Sequence, residues 1–594
     1  MAESIPVTDY RDLSKVYTKR PQNRNPAHSR LRTVHGIDTE TYNGNIFLIA
    51  DSDGQYLDKI TPNSVISWLF SKKYHGTWNF FYNLSYDAEV ILKLLGSELF
   101  RYRSTGKLDF WHGNHHLEYF PGKSLRIKKG HHSVLFFDIM QFFGGSLSNA
   151  YEKNIKKLSK EYLDIKSKRS EFTIRHYNHN KKKIRKYCIQ DCKLTKELSE
   201  KWITLFSNAF SFYPAKWTSA GYLAEKVLIN NGINLPRFSD TPYSIQELAF
   251  KSYFGGRIEL IKRGFIGKAY LYDINSAYPD AIANFPDTTK GKWIKRKSIH
   301  KDAKLGFFKI QCDIPDDYTI APFPFKANNV ILYPSGKFVT YCTLKELQAC
   351  KSNSLYRILE GYQWISNSPI YPYRKFIQSL YQKRQKLKQD NNPLEQPIKI
   401  ILNSIYGKTG QKINGVMGNL FNPVMFAYIT GYTRAKLYKF VLKNRLESDI
   451  IAFATDSICT TRKLNIDSKR LGDFSYDGES SDTFYLQNGF YRFNSIWKQR
   501  GLGRLGSKEI EHLDTFEKDG KLFYKFRVNR NSRLRSSILS NRIQDIGKIA
   551  PITREVNLNA DRKRLWLGKI ESIDQKECNE SMTISLNFMN KESV

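Results

Sequence analysis

Four carboxylates stand in three short stretches of the N-terminal third of the chain: Asp38-Thr-Glu40, Asn83-Leu-Ser-Tyr-Asp87 and Tyr187-Cys-Ile-Gln-Asp191. Oxygen ligands carrying that much negative charge suit a pair of hard divalent cations, and such a pair activates water and stabilises the departing oxygen of a phosphodiester. Side chains alternate along a strand, so Asp38 and Glu40 share one face and can reach the same cations. On a helix Tyr187 and Asp191, four apart, are neighbours, which lets the tyrosine orient an attacking water. Any one of these stretches alone more often marks a polar strand edge. Their order and spacing give them weight.

A second constellation lies further along. In Tyr272-Asp273-Ile274-Asn275-Ser276-Ala277-Tyr278-Pro279 the acid is expected at a strand end, because Pro279 cannot continue a central strand. The turn that follows can offer backbone N–H groups to phosphate. In Ala454-Thr455-Asp456-Ser457 the preceding apolar run predicts a buried strand that presents Asp456 at its tip. Two such acids can hold two cations that activate a primer hydroxyl and stabilise leaving pyrophosphate. Each alone reads more often as a turn-capping aspartate. Between them Lys399, Asn403 and Tyr406 fall on one helical face at i, i+4 and i+7, suited to a triphosphate and a nascent base pair. Arg384 and Lys388, four apart, can add phosphate contacts, against the plainer reading of a solvated basic face.

The elements that must position these groups form an α/β pattern in which short β-like runs alternate with helical text up to about residue 205. A second unit follows, with β-like runs around Asp273 and Asp456, helices between them, and a Pro-, Asn- and Gly-punctuated stretch over 291–366 that reads as a β-rich insertion. Residues 1–30 read as a basic, poorly ordered arm containing Arg20, Arg24 and Arg30. The net charge of +37 over 594 residues makes a polyanion the expected partner. Seven cysteines without a Cys-x-x-Cys pair imply reduced thiols rather than a zinc ribbon. No N-terminal apolar core of signal-peptide type and no run of about 18 apolar residues is present, so a soluble, cytoplasmic protein without membrane partners is expected.

Taken in order, the motifs resemble family B DNA polymerases that carry a 3′→5′ proofreading exonuclease, over roughly residues 31 to 505. The resemblance implies a multidomain α/β (α+β) fold, an RNase H-like exonuclease domain followed by a right-hand polymerase. Its expected parts are the arm 1–30, exonuclease 31–205, palm 206–290, insertion 291–366, fingers 367–415, palm 416–504 and thumb 505–594. It implies that Asp38, Glu40, Asp87 and Asp191 bind metal, with Tyr187 beside the water. Thr41, Asn83, Tyr86, Ser146 and Leu147 would hold a single-stranded 3′ end, and Lys157 matches a lysine of that domain. In the polymerase part it implies metal binding by Asp273, Ile274 and Asp456. Nucleotide contacts fall to Ser276, Ala277, Tyr278, Arg384, Lys388, Lys399, Asn403 and Tyr406, with Tyr278 as the gate that excludes a 2′-OH. DNA contacts fall to Tyr253, Gly255, Gly256, Thr455, Lys498 and Arg500. Mg²⁺, with Mn²⁺ as substitute, and dNTPs are the implied cofactor and substrates. The implied partner of a monomeric enzyme is a DNA template-primer.

The length and the insertion are closest to the protein-primed phage and linear-plasmid branch, which implies a separate terminal protein whose hydroxyl serves as primer. The short stretch between Lys399 and Asp456 leaves little room for that branch's second insertion, which in those enzymes supports strand displacement and processivity. Ala454 stands where the family motif has an aspartate. Two other readings remain open at this point: a degradative or repair exonuclease whose C-terminal part only holds DNA, and a non-enzymatic basic nucleic-acid-binding protein.

Overall fold

The computed structural model describes residues 12–17, 29–169, 172–328, 330–413, 415–499, 510, 513–519 and 521–587. The N-terminal unit is an eight-stranded sheet built from β1 (Val34–Tyr42), β2 (Asn45–Asp51), β3 (Tyr56–Leu57), β4 (Trp78–Phe81), β5 (Asp109–His112), β6 (His115–Phe120), β7 (Ser124–Lys129) and β8 (His132–Asp138), in the order β3-β2-β1-β4-β8-β7-β6-β5. The central strands β1, β4 and β8 run parallel, and their Val34-His-Gly-Ile, Trp78-Asn-Phe-Phe and Val134-Leu-Phe-Phe text is the near-continuous apolar kind that a sheet covered on both faces needs. Helix α1 (Leu84–Lys93) follows β4, and the 30-residue α2 (Lys181–Phe210) lies across β1. The inner stripe of α2, from Ile184 through Tyr187, Cys188, Asp191 and Cys192 to Trp202, is buried at helical spacing. Gly36 permits this close approach, since a Cβ there would lie 2.0 Å from the Cys192 carbonyl oxygen.

The second unit is organised on a nine-stranded sheet. Strands β9 (Arg257–Leu260) and β10 (Lys262–Ile274) lead into the seven-residue α3 (Ala277–Ala283). Two further helices, α4 (Arg374–Gln389) and α5 (Glu395–Thr409), pack on each other and on α3. The apolar α6 (Pro423–Asn444) supports the sheet from beneath, and β11 (Ile450–Thr455), β12 (Ser457–Thr460) and β13 (Phe474–Gln487) return to it. The path runs Ile496–Gln499, Phe490–Phe493, β13, β10, β12, β11, β9, so the long β10 sits at its centre.

Residues 291–366 fold as β-rich text should. Lys292–Lys295, Ala303–Ile314, Ser335–Thr343 and Tyr356–Ile365 form a separate antiparallel sheet, to which Ser585–Asn587 adds a parallel edge. Among the described residues between α5 and α6, the paired strands are Lys412–Ile413 and Val416–Met417, two residues each. The stretch 505–594, expected as one part, divides. Thr515–Lys518, Lys521–Asn531 and Ile549–Asn557 form a three-stranded sheet, whereas Cys578–Met582 pairs with β10. The arm also differs from expectation. Leu13 and Val16 are buried, and Tyr17 exchanges backbone hydrogen bonds with Gly415 and Met417, because two apolar side chains find cover there. Arg20 and Arg24 lie outside the described residues. No helix among the described residues is long and apolar enough to cross a membrane.

Candidate active sites

The first constellation converges. Asn83 adopts a left-handed conformation (φ 69°) at the start of α1, and its N–H donates to Asp138 Oδ1 at 3.1 Å, as does the N–H of Met140 at 3.0 Å. That turn aims the first turn of α1 at β1, where the Thr39 hydroxyl donates to Asp87 Oδ1 at 2.6 Å. From α2, Asp191 accepts a hydrogen bond from the Tyr162 hydroxyl at 2.6 Å, and the Tyr162 ring stacks on Tyr187 at 5.4 Å. Asp38, Asp87, Asp191 and Tyr187 line a cavity of about 670 Å³, and Glu40 lies buried behind its wall with a carboxylate oxygen within 4.8 Å of one of Asp38. Thr41, Asn83, Tyr86, Ser146 and Leu147 line it too, with the hydroxyls of Thr41 and Tyr86 2.6 Å apart.

The electrostatics of this pocket are unfavourable without a counter-charge. Burial, then the charges of Asp87, Asp191 and Glu40, pushes Asp38 well above the usual carboxylate range. Burial raises Glu40 and Asp87 to about 7, opposed at Glu40 chiefly by Arg169 and at Asp87 by the Thr39 hydrogen bond. Asp38 Oδ2 and Glu40 Oε1 are buried without a hydrogen-bond partner. Buried carboxylate oxygens of this kind are rarely left unpaired. Their arrangement fits divalent cations held by Asp38, Glu40, Asp87 and Asp191.

Several neighbours carried no sequence signal. Arg169 Nε lies 3.4 Å from Glu40 Oε2, and Lys166 lines the cavity while hydrogen-bonding Ser148. Lys157, the lysine expected here, is exposed and sits away from the cavity wall. The far end of the chain contributes as well, with Asn531, Gly547 and Ile549 forming part of the rim. Glu89 holds that rim in place by accepting from the Leu534 N–H at 3.0 Å, and Lys93 donates to the Ile546 carbonyl at 3.2 Å.

The second constellation converges on the sheet of the second unit. Asp273 pairs with Ser457 across β10 and β12, and the Ile274 N–H donates to the Asp456 carbonyl at 3.0 Å. Asp456 thus occupies the tight β11–β12 turn beside the C-terminal end of β10, where Thr455 has φ 71°. Burial, then Asp456, then Asp477 raises Asp273 to about 7. Asp477, which no motif pointed to, reaches this site from the bulged β13. Ser276, with φ 51°, turns the chain into α3, where Ala277 is buried and Tyr278 meets Tyr406 of α5 at a ring distance of 4.4 Å. The Tyr253 hydroxyl lies 2.9 Å from that of Tyr406, and Gly256 packs so tightly that a Cβ would meet Thr455 at 2.8 Å. Gly255 has φ 77° and its carbonyl accepts from Arg434.

Lys399 and Asn403 lie on the exposed face of α5, two turns and one turn before Tyr406, respectively. Lys388 is exposed on α4, whereas Arg384 is already engaged with Glu395 at 2.7 Å. Lys498 is exposed in the strand Ile496–Gln499 and borders a hollow of about 300 Å³ that includes Ala454 and Ser457. Arg500 lies outside the described residues.

Residues 80–420, more than half of the chain, match the family described as DNA polymerase type B, organellar and viral. The chain belongs to that family. It is 25% identical over 545 residues to a DNA polymerase of Acidianus bottle-shaped virus, spanning 78% of this chain and 80% of that protein. A probable DNA polymerase of Ascobolus immersus is 24% identical over 247 residues, covering 39% of this chain and 20% of its own length. Among solved structures, phi29 DNA polymerase with primer-template DNA and incoming nucleotide is similar at a TM-score of 0.61 and 14% identity, over 89% of this chain and all of that one. At that identity the likeness shows the fold: an RNase H-like domain joined to a right-hand polymerase. The chain is a DNA polymerase of type B, of the organellar and viral kind.

Proposed function

We propose that this polymerase joins dNTPs to a primer on a DNA template at Asp273 and Asp456, and removes misplaced 3′ nucleotides at Asp38, Glu40, Asp87 and Asp191. The observation that carries the synthetic reading is the meeting of two aspartates from distant segments on adjoining strand ends, where burial and then the charge of Asp456 raise Asp273 to about 7. Mg²⁺ bound there would supply charge to activate a primer hydroxyl and offset the negative charge on departing pyrophosphate. The residues of the chain do the rest. Lys399 and Asn403 present donors from the open face of α5 to the triphosphate, and the Tyr278–Tyr406 pair forms an aromatic floor for the sugar. The turn at Ser276 offers backbone N–H groups to phosphate.

The trimming reading rests on the buried, partnerless oxygens of Asp38 and Glu40 at the wall of a cavity large enough for a nucleotide. There Tyr187 would hold the attacking water, while Thr41, Tyr86 and Leu147 pack the terminal sugar and base. Priming by a terminal-protein hydroxyl is supported by the sheet over 291–366. The small hairpin between α5 and α6 provides little surface with which to encircle DNA. The same limited surface weighs against strand displacement and high processivity.

The test is primer extension on a defined template with Mg²⁺, with and without an annealed DNA primer, alongside digestion of a 3′-labelled strand. Templated extension with dNTPs and trimming in their absence are expected. A chain that trims but never extends would favour the degradative exonuclease. Binding without any turnover would favour a non-enzymatic nucleic-acid-binding protein.

A further inference from the structure

Behind the wall of the trimming cavity lies a ligand that hard cations do not use. Among the described residues, Asp38, Glu40 and Cys188 each offer one ligand atom, and the three atoms lie within 4.8 Å of one another. Cys188 sits on the inner stripe of α2, fully buried, with its thiol directed at the Asp38 carbonyl at 3.7 Å. A buried thiol on an apolar stripe is ordinarily a small hydrophobe. Here it adjoins Glu40, which is 1% exposed and has an unpaired Oε1, and Asp38, whose Oδ2 is also unpaired.

We infer that Asp38, Glu40 and Cys188 form a binding site for a thiophilic divalent cation of the zinc class, which competes with Mg²⁺ and silences trimming. The inference rests on the reading of this cavity as the trimming site. Zinc accepts thiolate sulfur at about 2.3 Å and carboxylate oxygen at about 2.1 Å, so tetrahedral ligation needs sulfur and oxygen about 3.6 Å apart. The three ligand atoms, within 4.8 Å of one another, can reach that spacing by side-chain rotation. Magnesium takes oxygen ligands in near-octahedral geometry and has no use for the sulfur. On zinc binding the S–H bond breaks, its proton leaves to solvent and a sulfur–zinc bond forms, with no change of oxidation state. The fourth position stays open to water or to a phosphate oxygen, and the ion occupies oxygens that a pair of Mg²⁺ ions would need.

The test uses the full-length chain and Co²⁺ as the probe, because cobalt bound to thiolate gives a sulfur-to-metal charge-transfer absorption that oxygen ligands do not give. The band is expected on titration with Co²⁺, is displaced by Zn²⁺, and is absent from both Cys188→Ala and the near-isosteric Cys188→Ser. Cys192→Ala retains it, since that thiol donates to the Ala50 carbonyl at 3.2 Å and lies outside the three-ligand group. Zinc affinity in Cys188→Ser falls by at least about tenfold, the smaller end of what loss of supporting groups around a metal costs. The zinc concentration that halves Mg²⁺-supported trimming rises by a similar factor. No band in the parent chain, or an undiminished band in both Cys188 variants, overturns the inference. Absence of Mg²⁺-supported trimming in the parent chain would instead overturn the reading of the cavity and leave the spectroscopic result standing by itself.

Discussion

The Ile274 N–H donates to the Asp456 carbonyl oxygen at 3.0 Å, locking the end of β10 to the β11–β12 turn. The two aspartates are therefore held by sheet hydrogen bonds rather than by flexible loops. A site fixed in this way keeps its geometry when one carboxylate is removed. That separates a chemical defect from a folding defect.

Asp273→Ala and Asp456→Ala should each lower dNTP incorporation on the order of 10³-fold or more, since each removes a ligand for the cations that would offset the negative charge of the transition state. Trimming of a labelled 3′ end by the same preparations should remain. Equal loss of both activities would show that the substitutions damage the fold and would remove the assignment of these two acids.

The double variant Asp38→Ala, Glu40→Ala should reverse this pattern, with extension preserved and trimming lost. Removing Asp38 and Glu40 relieves buried repulsion, so its melting temperature should equal or exceed that of the parent chain. Gel analysis of a mismatched primer would read the outcome directly, and continued trimming would exclude these residues from catalysis.

Tyr278 rests against Tyr406, which shares a hydroxyl contact with Tyr253. Tyr278→Val opens the space beneath the sugar while Tyr406 stays anchored. The ratio of ribonucleotide to deoxyribonucleotide incorporation should then rise by about 10-fold or more, equivalent to roughly 1.4 kcal/mol of lost discrimination. An unchanged ratio would remove Tyr278 from the gate.

The carboxylates were legible in the sequence because chemistry fixes their residue types and secondary structure fixes their spacing. Asp38-x-Glu40 follows the strand period and Tyr187 to Asp191 the helix period. What escaped reading comes from contacts without local spacing. Arg169 reaches Glu40 from a segment with no periodic pattern, and Asp477 approaches Asp273 through a bulge, which shifts register by one residue. Glu89 looks in sequence like one more polar residue of α1. Its partner, the Leu534 N–H, lies near the other end of the chain. The same long reach divides the C-terminal stretch, because its closing strands complete sheets begun more than 200 residues earlier.

Glu40 and Asp87 stand at about 7 in the metal-free chain, against ordinary values of 4.5 and 3.8. Between those values the folded chain retains protons that the unfolded chain has released, so these groups make stability fall as pH rises through the window, the full contribution being present below about 4. Divalent cations compete for the same oxygens and bind the deprotonated form. Mg²⁺ should therefore raise Tm more at about pH 8 than at about pH 5, by preferential binding to the folded chain. In Glu40→Gln the metal-free Tm should decline less steeply over this range, and the Mg²⁺ increment should shrink. Thermal melts of both chains across pH, with and without Mg²⁺, decide the matter. A parent and a variant with parallel profiles would mean that Glu40 does not titrate in this window and that the cation is held elsewhere.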